Sequence, residues 1–153
     1  MESGVRGVIA VGVVLALIGG KVYLRSQRPP SRADVVQVEQ DDPEMREAIA
    51  EARSKWGQFT AAFAEHKPGR ICMVKAPFKV KGSHAEHMWV KVSAINGQTI
   101  SGTLENDPME GGKYKLGDNV SVKVSDVEDW AYNDGETLIG NFSERVLDGA
   151  RKR

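Results

Sequence analysis

The sequence predicts an α+β fold: an N-terminal hydrophobic helix, transmembrane or signal, then one amphipathic helix packed on a curved, mainly antiparallel sheet of about five strands. Three observations lead there. Residues 7–20 carry no polar side chain. Between residues 45 and 63 apolar side chains recur at spacings of three and four, the period of a helix with one buried face. After residue 70 the period falls to that of strands, punctuated by Asn96-Gly97 and Asn133-Asp134-Gly135.

The apolar stretch continues past Lys21 through Val22, Tyr23 and Leu24. A spanning helix needs about 20 residues, and Lys21 can snorkel to the interface. Residues 1–24 therefore read as a membrane anchor or signal segment, with residues 7–24 in lipid. A cleaved signal peptide competes, because Arg6 precedes an apolar core of suitable length. Small residues do not stand at the first and third positions before a cut directly after that core: Gly20 pairs with Ile18, and Gly19 with Leu17. An uncleaved anchor is the preferred reading. Lys21, Arg25, Arg28 and Arg32 follow the segment and only Arg6 precedes it, which places the following domain in the cytoplasm by the positive-inside rule.

Residues 25–41, with Pro29-Pro30 and many polar side chains, read as a linker, although Val35, Val36 and Val38 offer a short first strand. Residues 42–153 form the globular domain. Asp42 suits a helix N-cap, Pro43 the first helical position, and Glu44 and Glu47 complement the dipole of the first turn. Met45, Ala48, Ile49, Ala52, Trp56, Phe59 and Phe63 build one stripe, and Lys67-Pro68-Gly69 ends the helix. A stripe of this kind reads as a face packed on a sheet rather than a ligand box.

Residues 70–80 are rich in strand formers but interrupted by Pro77, which predicts an edge or a bulge there. Residues 86–95 and 98–105 flank Asn96-Gly97, predicting a hairpin through a type I′ turn. Asn106-Asp107-Pro108 and Gly111-Gly112 open a loop, and Lys115-Leu116-Gly117-Asp118 turns into a strand over 119–124. Val120, Val122 and Val124 should face inward there, with Ser121 and Lys123 outward. Residues 126–129 make an acidic turn into Trp130-Ala131-Tyr132. Asn133-Asp134-Gly135 then reverses the chain into 137–142, and a short helix from Ser143, with Glu144 in its first turn, closes the domain.

Length and charge narrow the function. A chain of 153 residues holds one domain and a tether, and 41% hydrophobic with 27% charged residues is a folding composition. From Asp34 onward 16 basic side chains face 20 acidic ones, a net charge of −4 that offers no nucleic-acid footprint. The terminal Arg151, Lys152 and Arg153 read as solvated. Cys72 is the single cysteine, so the chain forms no internal disulfide and no cysteine-rich metal site. Its apolar flanks make it an inert sheet thiol.

A run of ordered short motifs carries a family resemblance. Glu86-His87-Met88-Trp89-Val90, then Ser101-Gly102-Thr103-Leu104-Glu105-Asn106-Asp107-Pro108, Gly117-Asp118 with Val120, Val127-Glu128-Asp129-Trp130, Leu138-Ile139-Gly140 and Arg145-Val146 follow one another. In this order the chain resembles the YegJ-like bacterial family, domain of unknown function 2314, over about residues 44–147. Where many members read a Gly-Tyr-Thr-like run before the arginine, this chain has Gly140-Asn141-Phe142-Ser143-Glu144, which bears on where the last strand ends. The resemblance implies a bacterial source and a compact domain, and it carries the fold more than a function. With that source, the preferred location is the bacterial inner membrane, single-pass, with the domain in the cytoplasm. Export to the periplasm after signal cleavage is the alternative.

Ser83, His84, Glu86 and His87 form the densest cluster of reactive side chains. Two histidines three apart point to opposite faces of a strand and converge only in a loop. No metal and no cofactor are assigned. Glu86, His87 and Asp107 could serve acid–base chemistry, the basis of an alternative reading as a small hydrolase or metal-dependent enzyme. No P-loop, nucleophile elbow, dinucleotide fingerprint or zinc-protease motif is present. If His87, Trp89 and Lys91 share one face of a strand, Trp89 leaves the face of Met88 and Val90. It is then either covered by Trp56 or Phe59 or exposed as a protein-binding anchor. The expected function is a membrane-tethered, non-catalytic module that binds an unknown protein partner at the cell envelope. Its candidate binding residues are Glu86, His87, Trp89, Asn106, Asp107, Pro108 and Trp130.

Overall fold

The computed structural model describes residues 14–18, 21–25, 42–82, 84–109 and 112–152. The linker beyond Arg25, the proposed strand at Val35 to Val38, Ser83 and much of the apolar segment lie outside these residues. Within the segment, β1 (Val14–Ile18) and β2 (Lys21–Arg25) pair antiparallel, Ile18 opposite Lys21. The structure thus differs from the expected hydrophobic helix at these ten positions. Val, Leu, Ile and Tyr are strand formers, and Gly19-Gly20 between them in sequence is a two-residue hairpin composition. Among the described residues no helix is long and apolar enough to cross a membrane.

The domain is α+β, with three helices and a six-stranded antiparallel sheet in the order β6-β5-β4-β3-β7-β8. Asp42 caps α1 (Pro43–Ser54), its Oδ1 accepting the Glu44 and Met45 amides. The apolar stripe is present but the single helix is not. A break at Lys55 separates α1 from α2 (Trp56–Ala64). At this point the Ala52 carbonyl, whose helical partner is the amide of residue 56, accepts the indole N–H of Trp130 at 2.7 Å.

β3 (Cys72–Lys81) runs through Pro77 without interruption. It pairs with β4 (His84–Asn96) along its length, with a bulge between Lys79 and Lys81, but with β7 (Asp129–Asp134) only from Cys72 to Lys75. Pro77 lies beyond the end of β7, where β3 has become an edge on that side and a missing N–H costs no ladder bond. The predicted hairpin joins β4 to β5 (Thr99–Leu104), but Asn96 pairs with Thr99, so the turn is Gly97-Gln98 and only Gly97 has positive φ, +59°. That is a turn with glycine at its first central position, one residue later than a type I′ turn on Asn96-Gly97.

β6 (Asn119–Lys123) completes that edge with Val122 buried, and Val124 opens a 3-10 turn (Val124–Asp126) instead of extending the strand. The chain then crosses the sheet to place β7 beside β3, a connection held by Arg53, whose guanidinium donates to the Ser125 and Val127 carbonyls. β8 (Thr137–Gly140) pairs with β7, and α3 (Phe142–Arg151) returns over the helical layer. One face of the sheet, with Val74, Ala76, Phe78, Met88, Val90, Ile100, Trp130 and Tyr132, forms the main core with Met45, Ala52, Phe59, Phe142 and Leu147 of the helices. The other face buries Met73, Trp89 and Ala131, with Ile71 and Leu138 beside them.

Candidate functional site

β4 separates the residues that the sequence groups together. Adjacent strand positions face opposite ways, so Glu86 shares the core face with Met88 and Val90 while His87 shares the far face with Trp89. Both are buried, at 1% and 3% exposure. Glu86 lies opposite Phe78, and its Oε2 accepts the Met109 amide at 2.8 Å. His87 pairs through Nδ1 with the Glu128 carboxylate. Asp107 is exposed, and its Oδ1 accepts the Leu116 amide at 2.8 Å. Glu86, His87 and Asp107 therefore do not converge.

On the far face the structure assembles a set of charged groups that alternation in the sequence does not reveal. Lys75 and Asp129 are cross-strand partners between β3 and β7, both buried. Asp129 accepts the amides of Trp130, Phe142 and Ser143 and the Ser143 hydroxyl, the last at 2.6 Å. It is the N-cap that α3 lacks locally, since Asn141 stands before the helix in the left-handed region with no side-chain cap bond. Lys75 Nζ donates to the same Ser143 hydroxyl at 3.3 Å and lies 5.6 Å from the centre of the Trp89 ring.

Burial pushes the Asp129 carboxyl up, against the hydrogen bonds from Ser143 and the nearby Lys75 charge. Burial likewise lowers Lys75, against the carboxylates of Asp129, Glu128 and Glu144. A serine beside a lysine has the elements of a nucleophile and its base. Here the Ser143 hydroxyl instead donates to a carboxylate that caps a helix, and its residue is 4% exposed. The arrangement fixes α3 to the sheet. A lysine between Val74 and Ala76 was the one sequence signal for it.

The remaining candidates also fall inside the domain. Trp89 is covered on the far face, away from Phe59, and its amide donates to Asn106 Oδ1 at 2.7 Å. Trp130 lies at the centre of the main core, between Phe59, Tyr132 and Phe142. Pro108 is half-buried, and Asn106 is buried. No group of three or more metal-ligating side chains forms among the described residues.

These buried groups brace residues 105–109 and 112–118. Glu105 donates its amide to the Trp89 carbonyl, continuing the ladder past the end of β5. Gly112, at φ +109°, crosses β3 so closely that a Cβ there would stand 2.5 Å from the Val80 carbonyl oxygen. Tyr114 packs edge-on against Phe78, ring centroids 5.2 Å apart. On this frame stand Met109 and Leu116, 39% and 55% exposed, the exposed large hydrophobic side chains among the described residues of the domain from Asp42 onward. The amide of each is held by a carboxylate, Glu86 for Met109 and Asp107 for Leu116.

Comparison with known proteins adds a family. The family model described as "Uncharacterized protein conserved in bacteria (DUF2314)" matches residues 42–150. A putative ankyrin repeat protein of Neisseria meningitidis serogroup B is 33% identical over 82 residues, covering 52% of this chain and 32% of that protein. The Escherichia coli protein YegJ is 31% identical over 104 residues, covering 67% of this chain and 66% of its own length. No solved structure matches the chain.

Proposed function

This chain belongs to the DUF2314 family of bacterial proteins, and from that premise we propose that it is a non-catalytic module that binds a protein partner through residues 105–109 and 112–118. The observation that carries this reading is that the two exposed large apolar side chains among the described residues from Asp42 onward, Met109 and Leu116, lie between β5 and β6 with their amides held by Glu86 and Asp107. A recognition loop ordered before binding loses little conformational freedom on contact. The relative named as a putative ankyrin repeat protein, of which the matched region is 32%, supports a modular role, because there the matched region is one part of a longer chain. An enzymatic reading on Glu86, His87 and Asp107 finds no support in side chains that do not converge.

Affinity capture with the full chain tests the reading. A Met109→Asp/Leu116→Asp variant should keep its melting temperature within a few degrees, because both side chains are exposed, and should lose the captured partner. Retention of the same partner by that variant would remove the loop from the interface.

Residues 7–24 hold the module at the bacterial inner membrane, with the domain in the cytoplasm. The apolar composition of that segment and the basic residues after it support this placement. A strand of five residues such as β1 reaches at most about 18 Å, short of the about 30 Å hydrocarbon core. Tethering therefore requires the segment to become helical in lipid. The full chain should stay with membranes through alkaline carbonate extraction, and a chain lacking residues 1–24 should be released. Release of both would end the tether, and phosphatase activity of an alkaline phosphatase fused after Arg153 would put the domain in the periplasm.

A further inference from the structure

The far face of the sheet is covered on one half only. Toward β5 and β6 its side chains meet water, with Lys91, Ser121 and Lys123 exposed. Toward β3, β7 and β8 it is closed: Met73 is 1% exposed, Ala131 0% and Trp89 6%. Met73 and Lys91 are cross-strand partners, one buried and one exposed, and so mark where the cover stops. The helices do not supply that cover. Their apolar side chains join the opposite face, and the far-face cluster of Met73, Trp89 and Ala131, with Ile71 and Leu138, holds no helix residue among the described residues. An antiparallel sheet commonly leaves its second face to water, where side chains stay partly exposed. β1 reaches the closed half from outside the domain. It lies against β8, yet it pairs with β2 rather than extending the six-stranded sheet.

We propose that this half of the far face is the docking site of the chain's own β1–β2 segment, and that insertion of the segment into lipid uncovers it. β1 and β2 read VLALI and KVYLR, an apolar composition that suits a seat made of Met73, Trp89, Ala131 and Leu138. The seat is buried within a single chain, so a second copy is not needed to close it. Open strand edges are not carried into hydrocarbon, where every backbone group must find its partner within a helix or a closed barrel. The segment therefore takes the sheet face as strands or the bilayer as a helix, and the two seats exclude each other. This exchange rests on the tether reading above, whereas the docking site does not. Its consequence is a membrane-bound chain that presents an apolar sheet face which the unbound chain keeps closed.

Oxidative footprinting of the unsubstituted full chain, with and without phosphatidylglycerol vesicles, reads the exchange at its own methionines. Met109 is exposed and reports the dose, while Met88, buried on the core face of β4, reports unfolding. Without lipid, Met109 should be oxidised and both Met73 and Met88 protected. With vesicles, Met73 should be oxidised as Met109 is, and Met88 should stay protected. A benzophenone amino acid in place of the half-buried Leu138 identifies the occupant. Light should join it, in the lipid-free chain, to a peptide of the same chain that contains β1 or β2, and vesicles should abolish that adduct. Met73 oxidised as fast as Met109 without lipid, or an adduct from position 138 to a second copy in a mixture of isotopically light and heavy chains, would overturn the docking site. Met73 still protected in chain that floats with the vesicles would overturn the exchange. The intramolecular adduct in a chain that never binds vesicles would end the tether and support the docking site.

Discussion

Cys72 faces the main core from β3, and burial pushes its thiol up to about 11, against the pull of Arg70. Thiolate is the reactive form, so at pH 8 the folded chain should leave a thiol reagent such as Ellman's unconsumed and consume one equivalent after denaturation. Rapid reaction of the native protein would show that the strand opens locally. Lys75 offers a sharper test, because burial lowers its pKa below the ordinary 10.5. The unfolded chain then holds the proton more tightly than the folded one, so this group's contribution to stability rises with pH between the lowered value and 10.5. Across that interval, urea unfolding of the native chain and of Lys75→Met should differ by that upward slope. A difference that stays constant from neutral pH to 10.5 would mean that Lys75 is solvated after all.

α3 is held by a residue outside itself. Asp129 accepts two amides at the start of the helix and the Ser143 hydroxyl, and an asparagine in its place would turn an N–H toward at least one of those donors. Asp129→Asn should cost about 3 kcal/mol and should strip hydrogen-exchange protection from the α3 amides before those of the sheet. Protection retained along α3 would show that Phe142, Val146 and Leu147 anchor the helix without the cap. At this scale the sequence is informative wherever the signal is local. The stripe from Met45 to Phe63 and the glycine turn after β4 are visible because spacing and turn chemistry are properties of neighbours. The break at Lys55 is not, because its cause is the Trp130 indole donating to Ala52 from the other end of the domain. The turn itself falls on Gly97-Gln98 rather than Asn96-Gly97, a one-residue difference that composition alone leaves open.

For the molecule as a whole, alternation tells which residues share a face but not which strands are neighbours. The sequence therefore reads as about five consecutive strands, whereas the sheet has six and β7 crosses back to pair with β3, bringing Asp129 to Lys75. The same crossover decides what the buried charges do. His87 meets Glu128, and Glu86 meets the Met109 amide, so residues that look reactive in sequence serve as braces. The exposed segment between β5 and β6 was legible as a loop from Asn106-Asp107-Pro108. Its apolar tips were not, because exposure at Met109 and Leu116 depends on Gly112 lying against Val80. The central claim, that this braced loop is the recognition surface, is tested most directly by a photo-crosslinking amino acid placed at Leu116 in the cell, with Glu136 at the exposed turn before β8 as control. One discrete protein adduct at position 116 and none at 136 is the predicted result. Equal labelling at both positions, or an adduct at 136 alone, would contradict it.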